Sequence, residues 1–352
     1  MTTISIDAMG GDYGPSITIP AAIQALESDT ELSVILVGNE NDIHQCLNNE
    51  NTSNVSERLS IVHASQVVEM DEAPALALKK KKDSSMRIAI NLVKEGRSDA
   101  AVSAGNTGAL MATSRFVLKM IPGIERPAIC SVLPTEHSTV HMLDLGANVD
   151  STPEMLLQFA YMGSEVCTVT HNIEHPRVHL LNVGSEEIKG NAKVKATAEL
   201  LSNTNLNFQG YIEGDEIFTD KSDVIVCDGF EGNIALKTSE GAAKLISNIA
   251  KEEFSKSLFR KLVAMFSIRT FKSIKKRLDP RLYNGATLAG LRGVVIKSHG
   301  GADTFGFLTA IKVASKEAKR QLPERISTAI AQIPSKESFE TPAPEKVTQS
   351  ST

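Results

Sequence analysis

Short apolar runs bounded by polar turns recur along the chain, at residues 4–6, 34–37, 59–62, 100–102, 129–133, 140–143, 178–183, 224–227 and 294–296. Several show no apolar–polar alternation, the pattern of strands covered on both faces, as in a parallel sheet between helical layers. Amphipathic stretches lie between them, at 20–26, 85–94, 107–119, 153–161, 192–201 and 303–321. Strand and helix therefore alternate, which predicts a doubly wound, three-layer α/β/α sandwich. One helix start is marked clearly: Ser151-Thr152-Pro153-Glu154 places a hydroxyl cap, a first-turn proline and an acid at the positive end of the dipole. No internal repeat is visible. Residues 1–334 are expected to form a single domain, and 335–352, polar and proline-bearing, a disordered tail.

Residues 238–280 break the pattern, with a long helical signal and no strand, and predict two helices protruding from the sandwich. Between Lys251 and Arg281 ten basic residues stand against three acids, although the whole chain carries −5. The same stretch holds Leu258, Phe259, Leu262, Val263, Met265, Phe266 and Ile268, too much apolar surface to leave in water. A cationic amphipathic hairpin of this kind can bury that face in a dimer, with a solvated basic side, or against an anionic membrane surface. Both uses stay open.

A chain of 352 residues, 41% apolar and 22% charged, is large enough to bury a sizeable core. Its net charge gives no reason to expect nucleic-acid binding. Cys46, Cys130, Cys167 and Cys227 are widely spaced and form no metal-ligand pattern, which predicts a reducing compartment without structural zinc. Cys130 and Cys227, inside apolar runs, read as buried inert thiols. No basic-then-apolar leader opens the chain and no apolar run reaches the roughly 18 residues that span a bilayer, so a cytoplasmic location is expected.

Chemistry is concentrated in glycine- and asparagine-rich turns after the apolar runs. These are Asp7-Ala8-Met9-Gly10-Gly11-Asp12, Ser103-Ala104-Gly105-Asn106-Thr107-Gly108, Leu145-Gly146-Ala147-Asn148, Lys189-Gly190-Asn191, Asp228-Gly229-Phe230-Glu231-Gly232-Asn233 and His299-Gly300-Gly301-Ala302-Asp303. Glycine lets backbone approach a ligand, the following helix offers free N–H groups, and ligands of open α/β sheets sit at strand carboxyl ends. No GxGxxG follows the first strand, so the usual dinucleotide fingerprint is missing. Asn106, Asn148, Asn191 and Asn233 are neutral donors and acceptors and Lys189 is a cation, a set suited to a small oxyanion and a polarised carbonyl. Asp7, Asp12, Asp144 and Asp228 leave a divalent-metal reading open beside their ordinary use in turns and helix caps.

These motifs, in this order over residues 1 to about 325, closely resemble those of the bacterial acyl-(acyl carrier protein):phosphate acyltransferase family. The resemblance implies a fold similar to that of isocitrate and isopropylmalate dehydrogenases and phosphate acetyltransferases, a homodimer, and a dimer- and membrane-contact hairpin. It implies transfer of a long-chain acyl group from acyl carrier protein to inorganic phosphate, with no cofactor and no metal. The acyl phosphate would then feed glycerol-3-phosphate acyltransferase in phospholipid synthesis, at the inner face of the cell membrane.

By motif match Lys189 and Asn233 are the catalytic candidates. Gly10, Gly11, Asp12, Gly105, Asn106, Thr107, Asn148, Asn191 and Gly232 are expected to line one phosphate-and-thioester cleft, with His299 within possible reach. The hairpin residues expected to meet the membrane or the second subunit are Leu258, Phe259, Leu262, Val263 and Phe266. Lys79-Lys80-Lys81-Lys82 is a solvated helix end or a patch attracting the acidic carrier protein. Two other readings are a β-decarboxylating dehydrogenase on a similar fold and a non-catalytic membrane-associated scaffold.

Overall fold

The computed structural model describes residues 1–186 and 188–333; the side chains of Lys261, Leu262, Ala264, Phe271, Lys272, Ile274, Lys275 and Lys276 also lie outside the description. The expected tail at 335–352 falls outside it. The strands are β1 (Thr2–Asp7), β2 (Leu32–Gly38), β3 (Leu59–His63), β4 (Ala100–Ser103), β5 (Ala128–Pro134), β6 (Thr139–Leu143), β7 (Val178–Leu181), β8 (Phe208–Ile212), β9 (Val224–Val226), β10 (Ala286–Ala289) and β11 (Val294–Lys297). They form one sheet in the order β3-β2-β1-β4-β11-β10-β5-β6-β9-β7-β8.

Along each central strand, alternate residues enter opposite cores. Val34, Ala100, Val102, Val294 and Ile296 face one helical layer, while Ile35, Ala101 and Val295 face the other. That is why these strands read as unbroken apolar runs. The first layer holds α1 (Pro15–Ser28), α6 (Pro153–His171), α11 (Thr304–Lys319) and α12 (Leu322–Ile330), with α7 (Ala192–Ser202) packed on α6. The second holds α4 (Ser85–Lys94), α5 (Thr107–Leu118), α3 (Pro74–Lys80) against α5, and α8 (Gly229–Ser255) over β6. Helix α2 (Glu40–Leu47) packs against β2 and the edge strand β3. The three-layer α/β/α sandwich is the one predicted.

The sheet is mixed, which the apolar runs did not reveal. β10 is antiparallel to both β11 and β5, and β5 is antiparallel to β6. Hence β1, β2, β3, β4 and β11 run one way, and β6, β7, β8 and β9 the other. The helical excursion also differs: it begins at Gly229, and α8 is followed by α9 (Leu258–Phe266) and α10 (Ile268–Arg277), three helices where two were expected. Arg277 then hydrogen-bonds the Glu136 carbonyl in the β5–β6 turn.

Candidate active site

Three helices begin where β6, β7 and β9 end. Thr152 caps α6, Asn191 caps α7 and Asp228 caps α8, so three positive dipole ends face one region. At its centre Asp144, fully buried, accepts from the amides of Ile129 (3.0 Å), Gly146 (3.2 Å), Ala147 (3.0 Å) and Asn148 (2.7 Å), and from Asn148 Nδ2 (2.9 Å). Burial pushes its pKa up while these donors oppose the shift. The first turn of α8 lies directly on this turn. A Cβ at Gly232 would fall 2.0 Å from the Asp144 carbonyl oxygen.

Asp228 joins the helices electrostatically. Its carboxylate accepts from the Ser151 amide (2.6 Å), the Phe230 amide (2.9 Å) and Lys193 Nζ (3.0 Å). Burial would raise its pKa, but the amides and Lys193 outweigh that and hold it below the usual range. Burial would likewise depress Lys193, but Asp228 and Asp150 hold its pKa up. Both groups are therefore committed to each other.

Lys189 and Asn233 are not committed. Lys189 is exposed, its stem resting on Gly184, where a Cβ would lie 2.9 Å from Lys189 Cγ. Asn233 is half-buried and packs over Gly146, where a Cβ would lie 3.7 Å from Asn233 Oδ1. Among the described residues neither side chain has a hydrogen-bond or ion-pair partner. The other asparagines are occupied. Asn148 Nδ2 also donates to the Pro127 carbonyl, Asn191 Oδ1 takes the Val194 amide, and Asn106 takes the Ala109 amide and donates to Met70 and Glu72.

Gly10, Gly11, Asp12, Gly105, Asn106, Thr107 and His299 lie elsewhere, beyond the carboxyl ends of β1, β4 and β11. Because the two halves of the sheet run in opposite directions, these turns and the Asp144–Asn233 cluster belong to opposite sheet ends. No hydrogen bond or ion pair among the described residues joins them. The single cleft expected from the sequence is thus two clusters within one chain. In the second, Gly10 closes on Asp7 (Cβ position 2.5 Å from Oδ2), Ser103 Oγ donates to Asp7 Oδ2 (2.6 Å), and the Asp12 amide donates to the Gly300 carbonyl (3.0 Å).

Sequence reading missed Lys297 there. It is only 9% exposed, and its ammonium donates to the Ala104 (3.3 Å) and Ser298 carbonyls. Burial pushes it down to about 8 against the pull of Asp7 and Asp12. Its signal was a charge ending an apolar strand, Val294-Val295-Ile296-Lys297. Its depressed pKa means the unfolded chain binds more protons above pH 8, so stability gains with pH between about 8 and 10.5. Across that window the wild type should gain up to about 3 kcal/mol relative to Lys297→Met, measured by urea unfolding at both pH values. A constant difference would refute the assignment.

The four aspartates of the turns do not gather. Among the described residues only Glu136, His137 and Asp220 bring three metal-ligating atoms within 4.8 Å, at the β5–β6 turn. Cys130 and Cys227 are buried, their thiols pushed up by burial, so neither supplies a thiolate.

Residues 2–325 match the model of a family described as fatty acid synthesis protein. The phosphate acyltransferase of Methylococcus capsulatus is 53% identical over 95% of this chain and 98% of its own length. The chain belongs to this family. A second member, the phosphate acyltransferase of Chromobacterium violaceum, is 54% identical over 94% of the chain and 95% of its own. The family's fold is also that of a phosphotransacetylase from Streptococcus pyogenes (TM-score 0.62, 16% identity, covering 91% and 94% of the two chains). A branched-chain phosphotransacylase from Enterococcus faecalis shares it as well (TM-score 0.55, 13% identity, 90% and 99% covered).

In this family member the excursion is strongly apolar on the outside. Leu258, Phe259, Val263, Met265 and Phe266 on α9 are exposed, as are Phe230, Ile234, Leu245, Ile246 and Ile249 on α8. The side chain of Leu262 lies outside the description. No described helix is long and apolar enough to cross a membrane.

Proposed function

We propose that the protein transfers a long-chain fatty acyl group from acyl carrier protein to inorganic phosphate, forming the acyl phosphate used by glycerol-3-phosphate acyltransferase. The observation that carries this reading is the pair Lys189 and Asn233, both without a partner among the described residues, Lys189 two residues before the α7 cap and Asn233 in the opening of α8. A phosphate oxygen attacks the thioester carbonyl carbon. The tetrahedral oxyanion then collapses, breaking the C–S bond and releasing the carrier as its thiolate, which takes a proton from solvent.

Phosphate is the nucleophile, so no activated protein thiol is required, in keeping with the buried state of Cys130 and Cys227. A thiol with pKa about 8.5 is a good leaving group, which reduces the need for a general acid. Lys189 neutralises phosphate or the developing oxyanion, and the Asn233 amide orients one of them. No cofactor enters the scheme. The decisive experiment supplies palmitoyl-loaded acyl carrier protein and phosphate and traps acyl phosphate with hydroxylamine; no hydroxamate above background would sink the reading.

In the same reading the chain is a cytoplasmic homodimer that attaches peripherally to anionic membrane. The exposed α8 face meets the second copy, and α9 with its basic neighbours meets lipid. Phe259→Glu with Phe266→Glu should cut co-sedimentation with anionic liposomes at least tenfold and leave acyl transfer in detergent-free solution intact. Unchanged sedimentation would remove α9 as the anchor.

A further inference from the structure

A cavity of about 300 Å³ opens between α6, α11 and strands β5, β6 and β10, roofed by residues 282–285. None of the residues of either turn cluster lines it. The acid on its lining is Glu317, fully buried on α11, whose Oε1 accepts from Thr287 Oγ1 (2.5 Å). The other carboxyl oxygen, Oε2, has no partner, and a buried polar atom left unpaired costs free energy that a ligand can recover.

Burial pushes Glu317 up to about 8 and His141, also lining the cavity, down to about 3, so both are largely uncharged at neutral pH. The remaining charges on the lining are Lys312 and Lys316, one turn apart on α11. Lys316 is anchored on the Thr170 carbonyl, while Lys312 is exposed and has no ion pair among the described residues. Val132, Val166, Val313 and Leu282 form the sides. The chamber therefore combines a cationic rim, apolar walls and a neutral polar floor.

We propose that this cavity binds a small hydroxylated organic anion, its charged group between Lys312 and Lys316 and a hydroxyl on Glu317 Oε2. A hydroxyl suits Glu317 because it both donates and accepts. An alkyl chain would leave Oε2 unpaired, a cation would meet two lysines, and a bare inorganic anion would satisfy the rim alone. The volume equals on the order of ten waters at roughly 30 Å³ each, which limits the ligand to a few carbons.

Calorimetric titration of the full chain with sn-glycerol 3-phosphate and with D-glycerate tests this and separates a phosphate ester from a carboxylate. Glycerol and acetate serve as controls. One of the hydroxylated anions should bind once per chain, at least tenfold more tightly than either control. Lys312→Glu and Lys316→Met should each weaken it at least tenfold, and Lys189→Ala should leave it unchanged. Binding by neither anion, equal binding of a control, or affinity lost in Lys189→Ala but kept in Lys312→Glu would each overturn the assignment.

Discussion

Replacing Lys189 by alanine should lower kcat/KM for acyl phosphate formation on the order of a hundred- to a thousandfold while leaving the melting temperature unchanged. The two halves of this expectation have separate causes. Removing one positioned donor or cation from a developing oxyanion costs roughly 3–4 kcal/mol of barrier. Stability is spared because Lys189 is exposed and holds no described residue. Asn233→Ala should behave similarly, since its amide also has no partner among the described residues. The two losses should not simply add if both groups act on the same phosphate and carbonyl. Near-wild-type turnover in either variant, with folded protein confirmed by circular dichroism, would exclude that residue from the chemistry.

Gly232→Ala should be the most destabilising single substitution in the cluster, by about 3 kcal/mol or more, at the top of the range for overpacking. The added methyl carbon would meet the Asp144 carbonyl oxygen at 2.0 Å and Cys227 Sγ at 2.8 Å, and the closest of these is backbone, which cannot rotate aside. The α8 N-terminus must shift, taking Asn233 with it, so activity should fall together with stability. Gly241 supplies an internal control on the same helix. Nothing lies within 4 Å of a Cβ there, and Gly241→Ala should stabilise by about 0.5–1 kcal/mol through helix propensity alone. Urea unfolding of the pair settles it: similar midpoints would contradict the close contact between α8 and the Asp144 turn.

The layers and most central strands were legible because burial on both faces writes itself into sequence as apolar runs. Strands β8 and β10 were not. Phe208–Ile212 is an edge strand with polar positions, and Ala286–Ala289 is a stretch of only four residues without a recognisable period. Helix α1 reaches further back than the amphipathic stretch at 20–26, starting with Pro15 in its first turn and carrying Pro20 inside it. At Asp228–Asn233 the glycines suggested a loop, and the segment is the cap and opening of α8. Glycine is needed there for close backbone approach, which looks the same in sequence as a chain reversal.

The candidate site residues were visible singly, but their grouping was not. Strand direction is a property of the whole sheet, and the three antiparallel pairings, β11–β10, β10–β5 and β5–β6, leave no mark in the turns themselves. Lys189, in the loop after β7, and Asn233, in the opening of α8 after the adjacent β9, do fall at one sheet end. Asn148 and Asn191 join them there as scaffold, and Asp12, Asn106 and Thr107 do not.

Helix α8 acts as a ruler. Asn233 stands near its beginning, and the 22 residues to Ser255 rise roughly 33 Å at about 1.5 Å each, ending where α9 begins. A product formed beside Asn233 would thus be released well short of any lipid surface touched by α9. On the proposed reaction, an acyl chain leaving that point would have a stretch of protein surface to cross, and handing it on without exposing it to water would become a task for whatever protein receives it.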